Sequence, residues 1–130
     1  MKILIVDDDK TTRKLLSLYL KSKGYDIITA ENGLDAIEKL GAGDINLIVT
    51  DMNMPYMDGI ELTKTLRAAG SSSQGIPIIM VTTEADDDER EKALGAGVDD
   101  YLVKPTNADQ ISDSVKRILK KFFIGGEGNV

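Results

Sequence analysis

The sequence predicts one α/β domain, a parallel sheet with helices on both faces. Three observations carry this reading. Four apolar runs are short and nearly continuous: Ile3-Leu4-Ile5-Val6, Leu47-Ile48-Val49, Ile78-Ile79-Met80-Val81 and Tyr101-Leu102-Val103. Such runs suit strands buried on both faces. Segments of helical spacing lie between them, so strand and helix alternate five times, the pattern of right-handed crossovers. The chain has 130 residues, 42% hydrophobic and 29% charged. That is enough for a single core, and the balance is that of a folded chain.

The first strand, Ile3 to Val6, runs into Asp7-Asp8-Asp9. Asp9 reads as the cap of the first helix. Leu15, Leu16, Tyr19 and Leu20 mark that helix and Gly24 closes it. Asp26 to Ala30 forms a weaker second strand, and Leu34, Ile37 and Leu40 mark the second helix. The third strand leads to Asp51, and Leu62 and Leu66 mark the third helix. Gly70-Ser71-Ser72-Ser73-Gln74-Gly75 reads as a surface loop. The fourth strand ends at Thr82-Thr83. Ala85 to Leu94 is charged almost throughout and gives a weak fourth helix. The fifth strand ends at Lys104-Pro105, a bond that can be cis. Ile111, Val115, Ile118, Leu119 and Phe122 form the stripe of the last helix. The domain is expected over residues 1–124, with the glycine-rich 125–130 as a flexible tail.

The strand order taken for this pattern is 2-1-3-4-5, the flavodoxin-like three-layer sandwich, adopted from known doubly wound sheets rather than deduced. Ligands of open sheets bind at the carboxyl ends of the strands, where the order reverses. Here that point lies between the first and third strands. Asp7-Asp8-Asp9, Asp51, Thr82-Thr83 and Lys104-Pro105 all fall at that edge.

Carboxylates of Asp7, Asp8 and Asp51 in one pocket repel each other. Protonation of one member relieves this, and so does a bound cation. A few carboxylates with waters and phosphate oxygens suit Mg²⁺. Capping of the first helix is the competing reading of Asp7 and Asp8, but it gives Asp51 no reason to stand opposite. Asp51 can act as a nucleophile by forming an acyl phosphate. Phosphoryl transfer needs mainly positioning and charge neutralisation. Lys104 offers a positive charge and Thr82 a hydroxyl.

Composition narrows the alternatives. There is no cysteine, which excludes disulfides and thiol chemistry, and no histidine, so any phosphohistidine must sit on a partner. Sixteen basic against 22 acidic residues leave a net charge of −6, unsuited to nucleic acid. Lys116, Arg117, Lys120 and Lys121 are the one basic cluster, read as the solvated face of the last helix. The apolar runs are too short to span a bilayer, and no charged-then-apolar leader opens the sequence. A cytoplasmic protein without membrane contact is expected.

Ile3-Leu4-Ile5-Val6-Asp7-Asp8, Asp51-Met52-Asn53-Met54-Pro55-Tyr56-Met57-Asp58-Gly59, Val81-Thr82 and Tyr101-Leu102-Val103-Lys104-Pro105 together resemble receiver domains of two-component response regulators. The resemblance runs from about Lys2 to Phe122. It implies that Asp51 is the phosphoacceptor and that Asp7 and Asp8 hold Mg²⁺ with Asp51 and the Asn53 carbonyl. It implies that Lys104 contacts the phosphoryl group, that Thr82 is the switch hydroxyl and that Tyr101 is the aromatic that follows it inward. Asn53 and Glu84 occupy the positions that tune acyl phosphate lifetime, a pair similar to chemotaxis-type receivers. Gly59 fits a tight entry into the third helix. Thr106 departs from the pattern, which more often has phenylalanine there.

The resemblance further implies a histidine kinase or phosphotransfer protein as donor. An output partner would meet the face of the fourth helix, fifth strand and fifth helix, and the chain would be a monomer or a phosphorylation-dependent dimer. Two rival readings exist. Asp7-Asp8-Asp9-Lys10-Thr11 also fits the opening of haloacid dehalogenase-like phosphatases, but the order of later motifs is wrong and Asp51 to Gly59 would have no role. A receiver fold used only for docking conflicts with the intact set of site residues.

Overall fold

The computed structural model describes residues 1–124. The expected tail, 125–130, lies outside the described residues. The elements run β1 (Lys2–Val6), α1 (Lys10–Lys21), β2 (Asp26–Ala30), α2 (Gly33–Leu40), β3 (Leu47–Thr50), α3 (Gly59–Arg67), β4 (Ile78–Thr82), α4 (Asp87–Ala96), β5 (Asp100–Val103) and α5 (Ala108–Leu119). A π-helical turn, Lys120–Ile124, follows α5. The strands are parallel in the order β2-β1-β3-β4-β5. The flavodoxin-like arrangement is therefore present.

Alternation along each strand divides the core into two layers. Leu4, Val6, Ile48, Ile78 and Met80 pack with Leu62, Leu66 and Ala93 from α3 and α4. Ile3, Ile5, Val49, Ile79 and Val81 pack with Leu16, Leu20, Ile111 and Val115 from α1 and α5. Both faces are thus covered, which is why the strands read as continuous apolar runs rather than alternating ones. Each fully buried Leu or Ile side chain contributes about 1.5–3 kcal/mol relative to exposure.

Five Asp or Asn caps start the helices: Asp9, Asn32, Asp58, Asp86 and Asn107. Each side chain accepts a backbone N–H of the first turn, an interaction of about 1 kcal/mol. The Asp9 cap is as expected from the sequence. Asp58 with Glu61 and Asn107 with Gln110 form reciprocal capping boxes.

Two helical readings need correction, the bounds of the fourth helix and the place of Phe122. The fourth helix runs Asp87–Ala96, later than Ala85 to Leu94, because Asp86 caps it and Gly97, at φ 117°, ends it. Its sole buried side chain is Ala93, so no periodic stripe marked its bounds. The second helix lies where Leu34, Ile37 and Leu40 mark it, with Leu40 packed against the core, although Leu34 and Ile37 are exposed and Gly33 and Ala36 are buried. Phe122 leaves the α5 stripe and is exposed, because the π-helical turn widens the winding and rotates later side chains off the core face.

Candidate functional site

The register of the sheet positions the acids. Val6 of β1 pairs with Thr50 of β3. Asp7 and Asp51 are each one residue further on, so they emerge side by side at the carboxyl edge. Backbone bonds hold them there: Asp51 N–H donates to Val6 O at 2.9 Å and Asp7 N–H to Ala30 O at 3.1 Å. Carboxylate oxygens of Asp7, Asp8 and Asp51 lie within 4.8 Å of one another. Asp7 and Asp51 are buried, while Asp8 opens to solvent. Lys104 directly follows β5; its N–H donates to Thr82 O at 2.7 Å, and the Lys104–Pro105 bond after it is cis. Its Nζ stands 2.9 Å from Asp7 Oδ2 and 3.5 Å from Asp51 Oδ2.

One ammonium faces three carboxylates. Burial pushes the Asp51 carboxyl above its ordinary range, the Asp7 charge adds to this, and Lys104 opposes both. Burial also works against charge on Lys104, but bonds to Asp7 and the Asp51 charge outweigh it and raise its pKa. The cluster keeps an excess of negative charge and a set of hard oxygen donors, partly open to water. A small divalent cation of the Mg²⁺ type fits that donor set. The same residues fit no soft metal, since no thiol or imidazole is present.

The remaining predicted residues form a second group along the edge. Thr82 is fully buried at the end of β4, and its Oγ1 accepts from Glu84 N–H at 3.3 Å rather than bonding Asp51. Tyr101 is turned inward, 5% exposed, and its hydroxyl donates to the Glu84 carbonyl at 2.7 Å. Arg90 lies 6.0 Å above its ring. Asn53 is exposed, with Nδ2 3.4 Å from Glu84 Oε2. Glu84 thus links Asn53, Thr82 and Tyr101 through its side chain, N–H and carbonyl.

Sequence reasoning missed Arg13. Its Nη1 donates to the Asp7 carbonyl at 2.6 Å, and its Nη2 lies 4.0 Å from Glu31. It ties the β1–α1 turn while Asp7 Oδ1 accepts the Asp9 N–H at 2.8 Å. The signal available was an arginine one turn beyond the Asp9 cap, on the side of α1 nearest the acids. Gly59 starts α3 hard against the end of β3, as a tight entry requires. A Cβ there would stand 2.2 Å from the Asp51 carbonyl oxygen.

Comparison with known proteins agrees with this geometry. The family model described as "Response regulator receiver domain" matches residues 3–116. The chain is 42% identical over 121 residues to chemotaxis protein CheY1 of Helicobacter pylori, covering 92% of this chain and 97% of that protein. It is 39% identical to the transcriptional regulatory protein ResD of Bacillus subtilis, covering 92% of this chain and 48% of that one. Among solved structures, a two-component response regulator from Clostridium difficile superposes with a TM-score of 0.87 at 34% identity, covering 95% and 98% of the two chains. The chemotaxis response regulator CheY4 of Vibrio cholerae gives a TM-score of 0.83 at 34% identity, covering 91% and 98%. With the sheet order, the acidic edge and these matches in hand, the chain belongs to the receiver domain family of two-component response regulators.

Proposed function

We propose that this receiver is a phosphorylation-activated switch, with Asp51 as the acceptor. The single observation that supports this best is the meeting of Asp7, Asp8 and Asp51 within 4.8 Å beside the Lys104 ammonium. An Asp51 carboxylate oxygen attacks the phosphorus of a phosphohistidine on a histidine kinase or phosphotransfer protein. The P–O bond forms as the P–N bond breaks, and its electron pair stays on the imidazole nitrogen. Hydrolysis reverses the state: water attacks phosphorus, phosphate leaves and the carboxylate returns.

Asp7, Asp8, Asp51 and the Asn53 carbonyl would hold Mg²⁺. When bound, that ion supplies charge neutralisation for the transferring oxygens. Lys104 lies close enough to Asp51 to pair with a phosphoryl oxygen on it. Thr82 reaches those oxygens by giving up Glu84 N–H, and Tyr101 occupies the inward position beside it. Asn53 and Glu84, in contact at the mouth, meter water access and so the acyl phosphate lifetime. The two conformers differ in the face made by α4, β5 and α5, which controls an output partner. Sparse apolar burial on α4 leaves it the most easily displaced helix.

The net charge of −6 disfavours nucleic acid, and among the described residues no helix is long and apolar enough to cross a membrane. A cytoplasmic monomer, or a dimer formed on phosphorylation, completes the proposal. Replacing Asp51 with Asn should abolish labelling by acetyl phosphate in the presence of Mg²⁺, read by intact-mass spectrometry. Full labelling of Asp51→Asn would refute the acceptor assignment.

A further inference from the structure

Two non-glycine residues adopt a left-handed backbone, Asp44 at φ 71° and Tyr56 at φ 70°. Asp44 needs no special account, because aspartate visits that region readily. Tyr56 does. A bulky aromatic is a true outlier there, and the Met57 N–H donating to the Pro55 carbonyl at 2.8 Å closes a three-residue turn around it, a rare and strained form. Glycine or asparagine would take this position at lower cost.

Packing does not repay the strain. The Tyr56 side chain is 83% exposed, the most exposed large hydrophobic residue among those described. Its neighbours Met54 and Met57 pack against the core instead. Strain held without an internal contact marks a candidate functional position.

The location says which function. Tyr56 tips the loop between β3 and α3, whose ends are drawn together by Gly59 N–H donating to Met52 O at 2.8 Å. Met52 N–H in turn donates to Asp51 Oδ1 at 2.8 Å. Five residues of chain span at most about 17 Å, so the Tyr56 Cα stays within that distance of the Asp51 Cα. A protein that carries a phosphoryl group into bonding distance of Asp51 must cover this rim. A small donor need not.

We propose that Tyr56 is a specificity-determining contact for the protein phosphodonor, its ring serving as a rigid amphipathic anchor against the donor's surface. This rests on Asp51 being the acceptor. It predicts a separation of stability from transfer. The chain keeps a strained, exposed tyrosine because the ring is used intermolecularly.

The test uses Tyr56→Asn and Tyr56→Phe with two donors: acetyl phosphate, and an autophosphorylated histidine kinase core chosen because it labels the wild-type protein. Tyr56→Asn should melt roughly 5 °C higher as strain is released. Its transfer rate from the kinase core, at protein concentrations below saturation, should fall at least tenfold. Its labelling by acetyl phosphate should equal wild type. Tyr56→Phe, which keeps ring and strain, should match wild type in transfer and melting. Wild-type transfer from the kinase core to Tyr56→Asn would overturn the proposal, as would a melting temperature no higher than wild type. If the wild-type protein took no label from acetyl phosphate, the acceptor reading itself would fail, a result distinct from either.

Discussion

Replacing Gly59 with alanine should destabilise the protein and disturb the acceptor together, although the same change elsewhere in a helix helps. Gly59 is the first residue of α3, and its N–H closes the loop onto Met52. An added Cβ would meet the Asp51 carbonyl oxygen at 2.2 Å, Met80 Cε at 2.9 Å and Met52 Cα at 3.0 Å. The methionine tip can yield, but the two backbone atoms can separate only if α3 or the end of β3 moves by about 1 Å. That movement loosens the bond from Asp51 N–H to Val6 O, which aligns Asp51 with Asp7. Overpacking of this kind costs about 1–3 kcal/mol. The lower backbone entropy of unfolded alanine returns about 0.4–1 kcal/mol. The net expectation is a loss of about 1–2 kcal/mol, or roughly 3–10 °C in melting temperature for a domain of this size. Gly95 in α4 is the control, since a Cβ there meets nothing within 4 Å. Gly95→Ala should gain about 0.5–1 kcal/mol. Urea unfolding followed by far-ultraviolet circular dichroism measures both. Gly59→Ala at or above wild-type stability would show that the close approach of α3 to Asp51 is wrong.

Two further outcomes follow from the charges. Lys104→Met removes the one ammonium that competes for Asp7 and Asp51, so the variant should bind Mg²⁺ about tenfold more tightly by calorimetry while taking label from acetyl phosphate more slowly; equal affinity would mean the Lys104 contacts of 2.9 and 3.5 Å carry little energy. Burial works to raise the Asp100 carboxyl, yet hydrogen bonds from Ser114 at 2.5 Å and Arg117 at 2.7 Å overcome it and the pKa is lowered. A lowered carboxylate stabilises the fold above its unfolded pKa, near 3.8, and the gain disappears as pH falls through the folded value. Ser114→Ala should therefore cost about 1–2 kcal/mol at pH 7, and the gap to wild type should close below 3.8. A gap that persisted unchanged in acid would assign the cost to packing of Ser114 alone.

Much of this protein was legible in its residue order. The buried runs Ile3 to Val6 and Ile78 to Val81 fit strands covered on both faces, because a parallel sheet between helix layers keeps consecutive side chains dry. Asp9 declares its cap because the hydrogen bond it makes is local. The convergence of Asp7 with Asp51 was inferable once the strand order was assumed, since a parallel register carries equivalent strand ends to one edge. Other features depend on contacts between distant segments, and periodicity is blind to those. Ala93 alone ties α4 to the core, so that helix has no stripe to read. Phe122 left its stripe because the winding changed after Leu119. Arg13 gained its place by reaching the Asp7 carbonyl, and the strain at Tyr56 belongs to the turn that Met57 N–H closes onto the Pro55 carbonyl. Local hydrogen bonds and burial patterns are written residue by residue; the balance of one ammonium against three carboxylates, and the side on which a ring is left without a neighbour, are set when the sheet closes.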